Sequence, residues 1–214
     1  MFETQVYIDR RNRLTKSLNS GVILFLGNEE SGMNYADNPY PFRQDSTFLY
    51  YFGLNKPHLT AILDIDEDRE ILVGDDSTFD EIIWTGKVPT LKDLADRAGM
   101  DEYRPYDEID TYLVEQRRRN RTIHYLPPYR PEHLLKLQEW LGLGQEQISG
   151  RKSIELIKAV VEQRSIKSEK EIQLIEEAVN ISGEMHLEAI RSARPGMKEH
   201  EVMSRVHQKA LELN

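Results

Sequence analysis

The sequence contains no cysteine among its 214 residues, which excludes disulfide bonds and metal sites built on thiolates. No apolar run approaches the roughly 20 residues that a membrane-spanning helix requires. Residues 1–13 are too polar and charged for a secretory signal. Hydrophobic residues make up 39% and charged residues 30%, a balance typical of soluble globular proteins. These features favour a cytoplasmic protein with no membrane partner.

Positive charge is also scarce, because the formal net charge is −9. A nucleic-acid-binding surface needs a positive field, so the composition argues against one. The exception is a basic run at residues 117–121, which follows an apolar pattern with helical spacing. Basic residues at a helix C-terminus complement the helix dipole. We therefore interpret the run as a solvated helix end and predict no nucleic-acid partner.

The first 150 residues alternate between strand and helix patterns. The continuous apolar run Val22–Leu26 predicts a strand buried on both faces, and a long polar loop at residues 28–41 follows it. Further strands are predicted at residues 48–52, 61–65, 70–73 and 122–126, and helices at residues 2–18, 91–98, 108–118 and 134–141. This alternation predicts an α/β fold with a mixed β-sheet flanked by helices.

The chain beyond residue 150 is almost entirely helical in pattern. Ser168 and Glu171 form a capping box at a helix start, and Arg194-Pro195-Gly196 ends that helix before another begins near Lys198. Two helices cannot bury their apolar faces alone. We therefore predict a domain at 1–150, a linker helix at 151–167 and the start of a truncated second domain at 168–214.

Two local patterns resemble ligand sites but lack essential residues. The alternating aspartates at 64, 66 and 68 begin like a calcium loop, which needs Gly at its sixth position and Glu at its twelfth. Arg69 and Asp75 stand there instead, so we interpret the segment as a polar hairpin turn. Gly142-Leu143-Gly144 lacks the third glycine of a dinucleotide fingerprint and follows a helix rather than a strand.

The histidines also give no metal site. His200 and His207 are two turns apart on one predicted helix, about 10 Å by helix rise, which is too far to chelate one ion. His186 lies beside an apolar stripe, which favours a packed histidine. A nucleophile elbow and a phosphate loop are both missing from the sequence. The residues alone therefore predict no catalytic residue and no metal ligand in this segment.

Three segments resemble one enzyme family. Residues 40–53 read Tyr-Pro-Phe-Arg-Gln-Asp-Ser-Thr-Phe-Leu-Tyr-Tyr-Phe-Gly, similar to a signature of the aminopeptidase P N-terminal domain. Residues 164–172 and Arg194-Pro195-Gly196-Met197 resemble the start of the catalytic domain in the creatinase, prolidase and aminopeptidase P family of "pita-bread" metallopeptidases. Residues 83–86, Ile-Trp-Thr-Gly, resemble a Trp-x-Gly loop of the same N-terminal domain. The resemblance implies a creatinase-type N-terminal domain followed by the first helices of a truncated pita-bread catalytic domain.

The resemblance also implies a function for the parent protein. The family's aminopeptidases are hydrolases that release an N-terminal residue preceding proline, using a water activated by two divalent metal ions, often manganese. The five ligands, two Asp, one His and two Glu, lie further along the catalytic domain, so this segment alone is expected to bind no metal pair and to be inactive. The implied partners are the missing catalytic domain, peptides with proline in the second position, and further copies of the chain in a homodimer or tetramer.

Two rival functions remain open. A prolidase cleaves only dipeptides ending in proline, although the Tyr-Pro-Phe-Arg-Gln-Asp segment favours aminopeptidase P. A pseudo-peptidase keeps the same fold as a binding module without metals. The sequence beyond Asn214 distinguishes these functions, because the five ligands are either present there or absent.

Three residues are candidates for substrate binding in the full-length oligomer. The resemblance implies that Asp37 points towards the catalytic domain, that Trp84 reaches a neighbouring subunit, and that Arg164 stands where the two domains meet. An arginine there could hold the domains in register or bind a peptide carboxylate or carbonyl. The alternatives are an Asx-turn at Asp37, a core tryptophan, and a solvated arginine. In this chain we expect Asp37 and Arg164 to be exposed and to lack a strong internal partner.

Overall fold

A mixed sheet of five strands lies at the centre of the fold. Its order is β4-β3-β2-β1-β5, and the strands are β1 Val22–Leu26, β2 Thr60–Asp64, β3 Arg69–Val73, β4 Glu102–Arg104 and β5 Ile123–Tyr125. Strand β2 pairs antiparallel with β1 and β3, whereas β1–β5 and β3–β4 are parallel pairs. Four strands therefore run in one direction and β2 runs against them.

Ten helices accompany the sheet in residues 2–213, the part of the chain that this computed structural model describes. They are α1 Thr4–Thr15, α2 Ser46–Phe52, α3 Phe79–Thr85, α4 Leu91–Ala98, α5 Glu108–Arg118, α6 Pro131–Leu141, α7 Gln145–Gly150, α8 Ile154–Ser165, α9 Glu169–Ser192 and α10 Glu199–Leu213. The chain divides into two units, one up to Gln163 and one from Arg164 onward.

The first unit has a hydrophobic core on each face of the sheet. Alternate strand residues such as Ile23 and Phe25 face one cluster, which includes side chains of α1, α2, α4 and α8. Their neighbours Val22 and Leu24 face the other cluster, which includes side chains of α5, α6 and α7. Burial on both faces explains the unbroken apolar run of β1 and confirms the predicted α/β architecture.

The prediction of a strand at residues 48–52 is wrong, because this segment is helix α2. The Asp45 carboxylate accepts hydrogen bonds from the backbone N–H groups of Thr47 and Phe48, both at 2.8 Å, and so caps the first turn. Gly53 ends the helix with a left-handed φ of 67°. The aromatic run has strand propensity, but its core side chains follow helical spacing.

Three short elements lie where no helix or strand is predicted. Strand β4 has three residues, and α7 has six, which is too short for a clear periodic pattern. The stretch around Trp84, predicted as a loop, is helix α3. That prediction is wrong, although the sequence does contain a start signal: Thr78 and Glu81 form a capping box, with the Glu81 N–H donating to Thr78 Oγ1 at 3.3 Å.

The second unit contains α9 and α10. The predicted capping box is confirmed, because the Ser168 N–H donates to Glu171 Oε2 at 2.9 Å. Ser192 is the only buried residue among residues 164–213 of this structure, and many apolar side chains of both helices are exposed. The division into 1–150, 151–167 and 168–214 stays a prediction; in the structure, α8 places Leu156 and Val160 in the core of the first unit.

Candidate functional site

The carboxyl ends of four strands define one edge of the sheet. Because β1, β3, β4 and β5 share a direction, the segments that follow them begin at this edge. Residues 27–45 follow β1 and contain Asp37, and residues 74–90 follow β3 and contain Trp84. Ligands of open α/β sheets bind at this kind of edge. Two of the three candidate residues therefore belong to connections that start at the edge where a site is expected.

The signature at residues 40–53 is fixed to the fold through Gln44, which is buried. Its Oε1 accepts hydrogen bonds from the backbone N–H groups of Asn28 at 2.6 Å and Asp45 at 2.8 Å. Its Nε2 donates to the carbonyl of Lys56 at 2.8 Å. One amide side chain thus joins both ends of the loop to the segment before β2. The glutamine of the motif positions the loop.

The loop itself folds into a small ribbon. A backbone bridge joins Gly32 and Pro39, and the Met33 N–H donates to the Asn38 carbonyl at 2.8 Å. Asp37 lies at the turn and is exposed. Within residues 2–213 its carboxylate makes no hydrogen bond or ion pair, so the Asx-turn alternative does not describe it. The exposed position of Asp37 is as expected.

A cluster of charged side chains lies beneath the same edge. The Glu29 carboxylate contacts both Lys136 Nζ and His58 Nδ1. Lys136 Nζ also donates to the hydroxyl of Tyr106 at 2.6 Å. The hydroxyl oxygen of Tyr106 in turn lies 3.3 Å from Thr60 Oγ1. We call Glu29, His58, Lys136 and Tyr106 the edge cluster.

Ion pairing determines the direction of the pKa shifts of Glu29 and His58 in the edge cluster. Burial alone raises the pKa of Glu29, but the hydrogen bonds with His58 and Lys136 outweigh it and hold that pKa below its ordinary value. The hydrogen bond to Glu29 raises the pKa of His58. Glu29 and His58 therefore favour their charged forms. Sequence reasoning did not find the edge cluster, because its members come from four distant segments without a shared local pattern.

Helix α3 projects from the edge with all its apolar residues exposed. The exposed fractions are 77% for Phe79, 39% for Ile82, 62% for Ile83 and 88% for Trp84. The alternative of a core tryptophan is therefore excluded.

Both ends of the segment that carries α3 are held in place. Asp75 Oδ1 accepts from the Tyr106 N–H at 2.9 Å, and Asp76 Oδ1 accepts from the Leu91 N–H. The capping box between Thr78 and Glu81 then fixes the helix start. The fold thus presents a formed apolar helix to solvent.

Arg164 differs from the expectation. It lies in the last turn of α8, at the first position of the second unit. The residue is half-buried and interacts with its surroundings. The expectation of an exposed arginine is therefore wrong, whereas the expected lack of a strong internal partner stays a prediction.

Residues 2–213 do not bring three or more His, Asp or Glu side chains together in a way that could hold a metal ion. The two-ion centre of the resembled family, with its five ligands, therefore does not fit the side chains described. In the same residues, no helix combines the length and hydropathy that a membrane span requires.

Comparison with known proteins identifies the family. A family model described as "Aminopeptidase P, N-terminal domain" matches residues 7–124, more than half of the chain. This chain belongs to the aminopeptidase P N-terminal domain family. The match covers all five strands up to the first two residues of β5, as well as the loop with Asp37 and the helix with Trp84.

Two similar proteins carry different named activities. The Xaa-Pro dipeptidase of Pongo abelii is 25% identical over 208 residues, 91% of this chain and 39% of that protein. The Xaa-Pro aminopeptidase of Escherichia coli strain K12 is 24% identical over 213 residues, 95% of this chain and 48% of that protein. The chain thus spans less than half the length of these two relatives.

A solved structure shares the fold. Zinc-substituted Escherichia coli aminopeptidase P in complex with product has a TM-score of 0.79 and 22% identity to this chain. The similarity covers 99% of this chain and 50% of the solved chain. It confirms the aminopeptidase P-type fold predicted from the sequence.

Proposed function

We propose that this chain is the N-terminal part of a metal-dependent Xaa-Pro aminopeptidase that acts in the cytoplasm. Such a hydrolase releases the residue that precedes proline at a peptide N-terminus. The observation that carries the proposal is the family match over residues 7–124. The 24% identity to an Xaa-Pro aminopeptidase over 95% of the chain supports the aminopeptidase assignment.

The metal ions of this proposal bind outside the chain. Two divalent ions, manganese in our expectation, would supply the activated water when bound. The described residues do not fit such a centre, so no step of the reaction is assigned to them. We propose that the chain alone has no peptidase activity and that it shapes the entrance of the site and assembles subunits.

Activity measurements on two proteins test this assignment. The purified chain and the product of the complete gene are each incubated with manganese and a tripeptide carrying proline in the second position. We expect release of the first residue by the complete product, loss of that activity with a chelator, and no release by the chain alone. Turnover by the chain above a no-protein control would contradict its inactivity.

Prolidase activity is a second candidate, favoured by the similarity to an Xaa-Pro dipeptidase. A dipeptide ending in proline, assayed beside the tripeptide, separates the two. Hydrolysis of the dipeptide alone replaces our assignment with prolidase. A folded complete product that cleaves neither substrate and binds no manganese is a pseudo-peptidase, the third candidate.

We further propose that Trp84 of α3 takes part in oligomerisation and borders the substrate entrance. Large exposed apolar side chains mark interaction surfaces, and tryptophan is enriched at interface hot spots. The exposed fraction of 88% for Trp84 supports this role. In the complete protein, Asp37 and Arg164 belong to the polar surroundings of the same entrance.

Sedimentation measurements test the role of Trp84. Trp84→Ala in the complete protein is expected to shift a dimer or tetramer towards smaller species. Leu135→Ala is the matched control, because Leu135 is also exposed, at 65%, but lies on α6. An unchanged mass for Trp84→Ala, or an equal shift for Leu135→Ala, would count against this proposal.

A further inference from the structure

A cavity of about 270 Å³ lies beside the edge strand β5, and neither the three candidate residues nor the edge cluster lines it. One part of its wall is apolar and consists of Ile123, Leu141, Leu143 and the body of Tyr125. The other part is basic, with two arginines from the basic run at residues 117–121, Arg117 and Arg121, and a third, Arg151, from beyond α7. We call this space the arginine cavity.

The three arginines differ in how their charges are compensated. Arg121 is nearly buried and pairs with the carboxylates of Asp64 and Asp66. Arg117 donates to the backbone carbonyl of Trp140 at 3.1 Å, which carries no formal charge. The Arg151 side chain makes no hydrogen bond or ion pair within residues 2–213. Two guanidinium groups therefore face the cavity without a carboxylate partner.

The chain is acidic overall, with a formal net charge of −9, but within residues 2–213 the residues that line this cavity include three arginines and no Asp or Glu. The sequence alone predicts a solvated helix end for the basic run at residues 117–121. The structure separates its members: Arg119 pairs with Glu67, whereas Arg117 lines the cavity together with Arg151 from beyond α7. The sequence alone does not show that Arg117 and Arg151 line the same cavity, because the two residues lie far apart along the chain.

We propose that the arginine cavity binds a small phosphate monoester with an apolar body. The planar donor fork of guanidinium matches phosphate oxygens and can bind two of them at once. Two uncompensated charges match a phosphate dianion, whereas a carboxylate leaves one charge unmatched. The apolar wall takes the ligand's body. A second cavity of about 470 Å³ adjoins this one at Thr122, Ile123 and Arg151, so the body has room to extend along β5.

Calorimetric titration of the whole chain tests this site with phenyl phosphate as the probe. We expect saturable binding with one site per chain. Inorganic phosphate lacks the apolar body and benzoate lacks the second charge, so both should bind at least about fivefold more weakly, since apolar burial and charge-assisted hydrogen bonds each contribute on this scale.

Three single substitutions locate the site. Arg151→Gln is the primary variant, because its side chain has no partner that the fold needs. We expect it to weaken phenyl phosphate binding at least about tenfold, with Arg117→Gln acting in the same direction. Arg118→Gln is the matched control. Arg118 carries the same charge and lies beside Arg117 on α5, but it does not line the cavity. Circular dichroism checks that each variant is folded.

Each other outcome overturns the proposal. No saturable binding of phenyl phosphate up to about 10 mM, the range of very weak ligands, removes the site. An equal loss in Arg118→Gln and Arg151→Gln means a general charge effect. Inorganic phosphate or benzoate binding as tightly as phenyl phosphate excludes the monoester class.

Discussion

The two units of this chain contain similar helices in different surroundings. In the first unit, Leu94 of α4 is only 5% exposed and packs in the core beside the sheet. In the second, Ile175 of α9 is 47% exposed. Both helices begin with a capping box, and both have an apolar face. Local signals therefore determine where a helix forms, but a facing surface determines whether its side chains are buried.

The difference between the units has an energetic meaning. Burying an apolar side chain stabilises a protein by about 1.5–3 kcal/mol relative to leaving it in water. In the first unit, this stabilisation comes from two clusters of buried residues, one on each face of the sheet. The second contributes little of this kind among residues 164–213, where Ser192 is the only buried residue. Substitutions in the two units should therefore differ in cost.

The largest effect is expected for Phe48→Ala in α2. Phe48 is fully buried and its ring centroid lies 4.7 Å from that of Phe52. Removing the ring leaves a cavity, so the free energy of unfolding should fall by about 3–5 kcal/mol. Urea denaturation followed by circular dichroism measures this change.

Phe79→Ala is the matched control, because it makes the same chemical change at a side chain that is 77% exposed. We expect a change within about 0.5 kcal/mol. If both variants lose a similar free energy of unfolding, the exposed fraction of a side chain does not predict the cost of removing it. The comparison between the two units would then have no basis.

The second effect concerns the buried ion pair between Asp64, the last residue of β2, and Arg121. The Asp64 side chain is completely buried and pairs with Arg121, whose side chain is 8% exposed. Asp64→Ala leaves this guanidinium buried with less compensation and should cost about 3 kcal/mol. Asp66→Ala removes a 36% exposed carboxylate from the same guanidinium and should cost about 1 kcal/mol or less. Thermal unfolding of both variants measures the difference.

The same pair predicts a dependence on pH. Burial raises the pKa of Asp64, but the hydrogen bonds from Arg121 and Tyr112 outweigh it and hold the pKa below its ordinary value. A lowered pKa in the folded state stabilises the protein above the ordinary aspartate pKa of about 4, and this contribution is lost as the pH falls through the folded value. Unfolding free energies measured below pH 4 should therefore fall less steeply in Asp64→Ala than in the wild type. An equal slope would contradict the assignment.

A smaller effect is expected at the residues that we place near the entrance, one in each unit. If the complete protein has the proposed activity, Asp37→Ala and Arg164→Ala should each lower its kcat/KM at least about tenfold, which corresponds to about 1.4 kcal/mol. Glu30→Ala is a control for Asp37, because it removes an exposed carboxylate from the same loop. Arg164 is half-buried, so Arg164→Lys and a folding measurement separate a loss of recognition from a loss of structure. Unchanged kinetics in both alanine variants would exclude the two residues from the site.

The predicted and missed elements show what the sequence determines. Helices α4 and α5 follow from periodicity with the bounds that the structure has, because their apolar faces are encoded locally and a capping box marks the start of α4. Residues 48–52 were predicted as a strand because aromatic residues have strand propensity. The helical conformation is stabilised instead by the packing of Phe48 and Phe52 in the core beside the sheet and by the Asp45 cap.

The site shows the same limit at longer range. The loop with Asp37 could be predicted as a long polar connection, and the family signature could be read directly. The edge cluster could not, because Glu29, His58 and Lys136 lie far apart in the sequence and meet only in the folded structure. We expect Arg164 to be exposed because the catalytic domain is missing from this chain, but the residue is half-buried, and no local sequence pattern predicts its burial.

The smallest effect is expected for Ile190→Ala in α9, and it gives the strictest test of the comparison. Ile190 is 74% exposed, whereas Leu156 of α8 is completely buried. Leu156→Ala should therefore cost about 2–5 kcal/mol. For Ile190→Ala we expect the free energy of unfolding to fall by less than about 0.5 kcal/mol, because the side chain has little buried surface to lose and alanine has the higher helix propensity. Hydrogen exchange of α9 in the intact chain, measured beside urea denaturation, reports the local effect separately from global unfolding. A loss of about 2 kcal/mol or more for Ile190→Ala would mean that this side chain is buried in solution, and the second unit would then resemble the first.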